Sequence, residues 1–301
     1  MLSVPEQPQG TARRLHLIYC ALAMFAAVTP AFAEDFPSPP IPPMEVVPPG
    51  SASVGPATFT RWSGFYAGGD FSYTSALGQF SKATQPLVAL ALQDTVVQQQ
   101  YVPSQLVTLG QGAASAFGYG GFVGYNAQWQ DVITGVEAIY THTSLSVSSS
   151  VSGIVARAFS PPAGSVTSVT VGPSAGRFDL TDYGEMRGRA GYVLGNVLPY
   201  GFVGVVVGMG DYDVSTNVDA TCTNATSAPY TPTFTCAGFP LTPGVGQNNA
   251  LLYGVSVGGG LDWALTPNIF LRGELEFVQF APISSISVSL FNARVGAGFK
   301  F

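Results

Sequence analysis

Charged residues make up only 9 % of this 301-residue chain, and nine of them fall into a pattern that could do chemistry. Glu185, Arg187 and Arg189 are spaced by two, and so are Arg272, Glu274 and Glu276. Glu137 lies between Val136 and Ala138, and Arg294 and Lys300 share a parity near the end of the chain. Alternate residues of a β-strand face opposite sides, so each set occupies one face. The other parity is apolar or small: Gly188 and Ala190, Leu271, Leu275 and Phe277, Val295 and Phe299. Four acids would then meet five bases in one enclosed space. Charges taken out of water need opposite partners, so the expected chemistry is an ion-paired network. It would act either as a plug that fixes strand register or as a proton path or selectivity filter.

Other reactive types are few. His142-Thr143-Ser144 is the one trio that suggests nucleophilic chemistry. Such a pair needs mutual hydrogen-bond reach and an orienting acid. Glu137 lies on the opposite parity, and the sequence places no other acid beside His142. Catalysis, a metal and a cofactor are therefore not expected. The net charge of −6 supplies no basic footprint for nucleic acid.

These residues must be positioned by strands. Eight are expected, over 62–74, 116–128, 132–144, 180–195, 199–213, 250–265, 269–281 and 289–301. The final strand shows the pattern best: Phe291, Ala293, Val295, Ala297, Phe299 and Phe301 alternate with Asn292, Arg294, Gly296, Gly298 and Lys300. Connections at 129–131, 196–198 and 266–268 suit tight hairpins. Those at 75–115, 145–179 and 214–249 are long, and 282–288 is modest. Pro86 to Gln100 in the first long loop could be a short amphipathic helix or strand extensions; the second loop should carry its strands onward as a hairpin. Alternation of short and long connections predicts an all-β, eight-stranded, antiparallel up-and-down transmembrane β-barrel with long extracellular loops. Eight strands enclose a lumen that side chains just fill, which favours the plug over a small diffusion pore. Gly298, on the lumen side, should accept Ser if space permits. Trp62, Trp129, Tyr200, Trp263 and Phe270 lie beside the short turns and are expected to form an aromatic girdle.

The start of the chain reads as an export signal. Arg13 and Arg14 precede an apolar stretch too short to span a bilayer, and Ala31-Phe32-Ala33 fits a cleavage site. Residues 1–33 are thus expected to be removed, 34–61 to form a proline-rich periplasmic linker, and 62–301 to form the barrel. Cys222 and Cys236 remain as an even pair in an exported chain, so a disulfide closing the third long loop is expected.

Trp62-Ser-Gly-Phe-Tyr-Ala-Gly-Gly69 resembles the opening strand of a family of alphaproteobacterial small outer-membrane β-barrel proteins, OmpA-like in architecture. Gly121-Phe-Val-Gly-Tyr-Asn126, Gly135-Val-Glu137, Asp182-Tyr-Gly184 with Arg187-Gly-Arg-Ala-Gly-Tyr192, Leu198-Pro-Tyr200 and Val295-Gly-Ala-Gly-Phe-Lys-Phe301 continue the resemblance in order. It implies an integral outer-membrane barrel of the bacterial envelope, with lipids and lipopolysaccharide around it. It implies roles as abundant envelope protein, surface antigen, adhesin, haem binder or small porin, without a motif that selects among them. Phe299 and Phe301 resemble the recognition signal of the barrel-assembly machinery. The loops are longer than the family pattern, leaving any extracellular ligand open. A lipid-modifying enzyme is the remaining alternative.

Overall fold

The computed structural model describes residues 61–301 other than 94, 106–108, 159–165, 223–233 and 237. The expected signal segment and all but the last residue of the expected linker lie outside the described residues. The strands are β1 (Gly64–Gln79), β2 (Gln111–Trp129), β3 (Val132–Val151), β4 (Val155–Ala158), β5 (Val166–Tyr192), β6 (Val197–Cys222), β7 (Phe234–Thr235), β8 (Gly244–Ala264), β9 (Ile269–Phe280) and β10 (Ser287–Lys300). Eight of them pair antiparallel in a ring, in the order β1, β2, β3, β5, β6, β8, β9, β10. Tyr66 opposite Lys300 and Gln79 opposite Ser287 close it. The short β4 and β7 lie on the outlying ends of β5 and β6.

Closure leaves no open seam along the paired wall, which answers the problem that unpaired strand edges pose. The alternation of side chains then sorts the sequence into two surfaces. Phe71, Val136, Met186, Val203, Val255 and Val295 are more than half exposed on the outside. Their neighbours along each strand point inward and are buried.

The hairpins fall as expected, around Gln130, Gly195 and 265–268. Gln130 and Gly195 have positive φ values of 53° and 63°, which let the chain reverse there. At the opposite end the second long loop carries its strands onward as the expected hairpin, with β3 running to Val151 and β5 beginning at Val166. β6 runs further than expected, to Cys222 rather than 213. Val166–Val171 and Thr216–Cys222 supply β-branched residues that suit extended backbone and have each other to pair with. The first long loop resolves to helices: α1 (Gln85–Ala91), with proline in its first turn, and α2 (Val96–Tyr101), whose start is capped by the Thr95 side chain.

The interior is layered, and β9 reads the layers in order. Phe270 belongs to an apolar cluster at the short-turn end with Trp62, Tyr66, Phe122, Ile133 and Leu198. Arg272, Glu274 and Glu276 follow as a charged layer. Val278 and Phe280 then enter a second apolar core with Phe80, Leu109, Phe178, Leu252 and Leu87 of α1. Beyond it, Val88 and Leu92 pack with Val97, Val169, Val171 and Val218. The helices of the first loop thus stack on the far core.

Candidate functional site

The charged layer is built from inward positions of β3, β5, β8, β9 and β10. Glu137 of β3 is its hub. Its Oε1 accepts from Arg187 Nε at 2.7 Å. Its Oε2 accepts from Arg272 Nη1 at 2.7 Å, Tyr66 Oη at 2.7 Å and Arg189 Nη1 at 3.3 Å. Asp262 of β8 is a second hub. It accepts from Arg189 Nη2 at 2.7 Å and from Arg272 through Nε at 2.8 Å and Nη2 at 3.1 Å, with Tyr200 Oη at 3.2 Å. Glu274 accepts from Arg187 and Tyr200. Three acids thus share three guanidinium groups. The cations also stack on rings: Arg187 lies 3.8 Å from the centre of Phe202, Arg189 3.7 Å from Tyr200, and Arg272 4.1 Å from Phe122.

A second cluster lies one step toward the long-loop end. Arg294 Nη2 donates to Glu276 at 2.8 Å, and Asn292 Nδ2 donates to the same carboxylate at 2.7 Å. Glu185 accepts from Ser256 and lies 3.8 Å from Arg294 Nη1. Tyr183 Oη accepts from Arg294 and Asn292. All these acids and bases are at most 4 % exposed. Each of the four guanidinium groups lies within salt-bridge reach of at least one carboxylate, the pairing that buried cations require.

Of the nine residues expected in the network, the structure joins eight. Lys300 is the exception. Its Nζ lies 4.1 Å from the centre of the Trp62 ring and donates to Arg61 O at 3.2 Å, and no carboxylate lies within salt-bridge reach among the described residues. It sits at the last inward position of β10, below the layer the other charges form. Conversely, Asp262 and Asp70 are buried inward acids that the spacing argument passed over. Asp262 follows Gly258-Gly259-Gly260, so no charged periodicity announces it, although its parity between Leu261 and Trp263 does.

The girdle expectation needs correcting. Trp129 and Trp263 face outward, but Trp62, Tyr200 and Phe270 are each 6 % exposed or less and point inward. Closeness to a short turn fixes height along the barrel but not face, and on strand parity all three fall with the lumen residues. The outward belt at this end is instead Phe65, Tyr125, Trp129, Tyr192, Trp263 and the Phe299–Phe301 pair. A second belt of Tyr73, Phe117, Tyr119, Tyr140, Tyr253 and Phe291 stands at the other end of the apolar outside. Trp263 and Tyr253 are ten residues apart on β8, which spans on the order of 25 Å at ~3.4 Å per residue and ~40° tilt.

Gly298 does not leave spare room. A Cβ there would lie 2.3 Å from Phe270 Cζ, because the ring fills the space over the glycine. In the third long loop, Cys222 pairs with Phe234 and Cys236 N donates to Ala220 O at 2.8 Å. Cys236 is buried and is not a free thiol.

His142 faces outward with Tyr140, and here the structure supplies an acid. Asp182 of β5 lies directly opposite His142 in the ladder. Its Oδ1 is 2.7 Å from His142 Nδ1 and accepts from Tyr140 Oη at 2.6 Å.

No family model and no curated protein matches the chain. Among solved structures it is similar to Neisserial surface protein A, at 13 % identity over 79 % of this chain and 98 % of that one, with a TM-score of 0.35. It is similar to Ail, the attachment invasion locus protein of Yersinia pestis, at 12 % identity over 79 % and 99 %, TM-score 0.28. The N-terminal β-barrel domain of Pseudomonas aeruginosa OprF gives 12 % identity over 77 % and 97 %, TM-score 0.27. Scores this low carry no functional argument. The barrel rests on its own closed ring of strand pairings.

Proposed function

We propose that this chain is an integral protein of the bacterial outer membrane, a closed-lumen barrel that presents its long loops at the cell surface in a structural or surface-interaction role. The observation that carries the reading is the pairing of an apolar outside, bounded by two aromatic belts, with a lumen filled by ion pairs and sealed by an apolar core at either end. A water-soluble protein would bury the apolar face, whereas here it is the exposed one. The short turns face the periplasm and the long loops face outward, as the asymmetry of such barrels requires. Lipids and lipopolysaccharide surround the wall, and the exposed Phe299 and Phe301 are available to the assembly machinery. A ligand from outside would meet the loops.

A diffusion pore needs a continuous water path, and the ion-paired layer leaves its charges almost wholly out of solvent. Purified barrel added to planar bilayers should therefore give no stable conductance steps. Ohmic steps from the wild-type protein would replace the plug with a pore. We also assign Cys222 as the disulfide partner of Cys236, since the Cys222–Phe234 pairing returns the chain to within two residues of Cys236. Peptide mapping without reductant should find the two joined; a Cys222 that alkylates freely would remove the assignment.

A further inference from the structure

The outer wall carries one polar constellation that the lumen and the belts do not account for. Asp182 is gripped by two donors, the Tyr140 hydroxyl and His142 Nδ1. A carboxylate can only accept here, so the imidazole carries its hydrogen on Nδ1 and leaves Nε2 as its basic nitrogen. The Tyr119 ring, 5.3 Å from the imidazole, supports it from β2. The His142 and Asp182 side chains are 42 % and 33 % exposed, open to molecules that approach the wall.

Ser144 is the next outward residue on β3 and is exposed. Both ladders break around it. The β2–β3 register ends at Gly118 opposite Thr143, and the β3–β5 register shifts between His142 and Leu145. Ser144 therefore falls outside both registers, and irregularities of this kind re-aim a side chain locally. The three residues stand at the belt of Tyr119 and Tyr140, which is the outer-leaflet boundary in the orientation given above. An acid holding a histidine, with a hydroxyl at the next outward position, brings the residue types of an activated serine onto one face of the wall; no hydrogen bond joins Ser144 to His142 here, and catalytic bonds of this kind often tighten only when substrate is bound.

We propose that Ser144, His142 and Asp182 form a hydrolytic site on the barrel's outer wall, with the carboxylic esters of lipid acyl chains as substrates. The location rests on the membrane orientation proposed above; the chemistry does not. Ser144 Oγ attacks the ester carbonyl while its proton passes to His142 Nε2. The tetrahedral adduct collapses, the carbonyl carbon–alkoxy oxygen bond breaks, and His142 returns the proton to the departing alcohol. Water then attacks the acyl-serine, again through Nε2. The fatty acid leaves and Ser144 regains its hydrogen. No electrons are exchanged, and water is the only co-reactant. Ser144 and His142 are the catalytic residues, and Asp182 and Tyr140 are positioning residues.

The full-length protein, folded in detergent micelles, should hydrolyse a short-chain nitrophenyl ester and take a fluorophosphonate label at Ser144, located by peptide mass spectrometry. Ser144→Ala and His142→Ala should lose both, with the heat-modifiable gel shift of a folded barrel retained. Asp182→Asn should lower kcat by about 10²–10⁴-fold with little change in KM, and Asp182→Glu should recover part of it. Vesicles of glycerophospholipid and of lipopolysaccharide, assayed separately for released fatty acid, identify which acyl ester is taken. Activity in micelles with reversed surface accessibility on cells would overturn the orientation and leave the hydrolase standing. Folded wild-type protein that neither labels at Ser144 nor releases acid from any of the three substrates would overturn the hydrolase, as would activity that survives Ser144→Ala.

Discussion

Glu137 accepts from three guanidinium groups and a phenol, so its removal takes a carboxylate from three buried cations at once. Glu137→Ala should cost about 3–5 kcal/mol, the range for breaking a buried pair by deleting one partner. Urea titration of folding in lipid vesicles would read it. Lys300→Met offers the contrast, because Lys300 loses only a stacked ring and a carbonyl contact. Its cost should stay near 0.5–1 kcal/mol. Equal losses for the two would mean that the layer is not organised around Glu137. Six of the network's residues were legible because they recur at a spacing of two, and Glu137 and Arg294 because each falls on the polar parity of an otherwise apolar alternation. Asp262 was not, since glycines replace its inward neighbours along β8. Asp182 was not legible as the partner of His142 either, because a strand's register against its neighbour decides which side chains meet.

At the scale of the element, β10 shows how one strand meets two solvents. Val295 is among the most exposed apolar residues of the wall, and Val295→Arg should cost about 2–4 kcal/mol near the bilayer midplane. Gly298→Ser should also destabilise, by about 1–3 kcal/mol, because Phe270 must yield the space a Cβ would take. The same vesicle titration measures both. A neutral Gly298→Ser would show that the ring can swing aside. Periodicity alone gave the correct face for Gly298 but not its tolerance, since a glycine reads the same whether its vacancy is empty or filled from across the lumen. The positions of all eight wall strands were legible because the hydrophobic alternation has the period of a pleated strand. Of their outward ends, the hairpin of the second long loop was legible from its partial alternation; elsewhere, beyond the apolar belt, Ser, Thr and Val alternate too weakly to separate strand from loop. The first loop's helices are not legible for a related reason: short apolar runs fit either period.

For the whole molecule, the asymmetry of its ends makes a topological prediction. Protease added to intact cells should cut in the long connections, around Ile154 and Gln93, and spare Gln130, Gly195 and Pro267. Cleavage confined to the short turns would invert the protein in the membrane. The ring itself has a consequence in time. Its closing pairs join β1 to β10, and Lys300 reaches back to Arg61 across 239 positions of sequence. Contacts so distant are won only after most of the loop entropy has been lost, so such a topology folds slowly for its size. The earliest strand must wait for the latest one to be delivered. Until then both margins of the growing sheet can capture strands of other chains, so this protein's most exposed moment comes before it is complete.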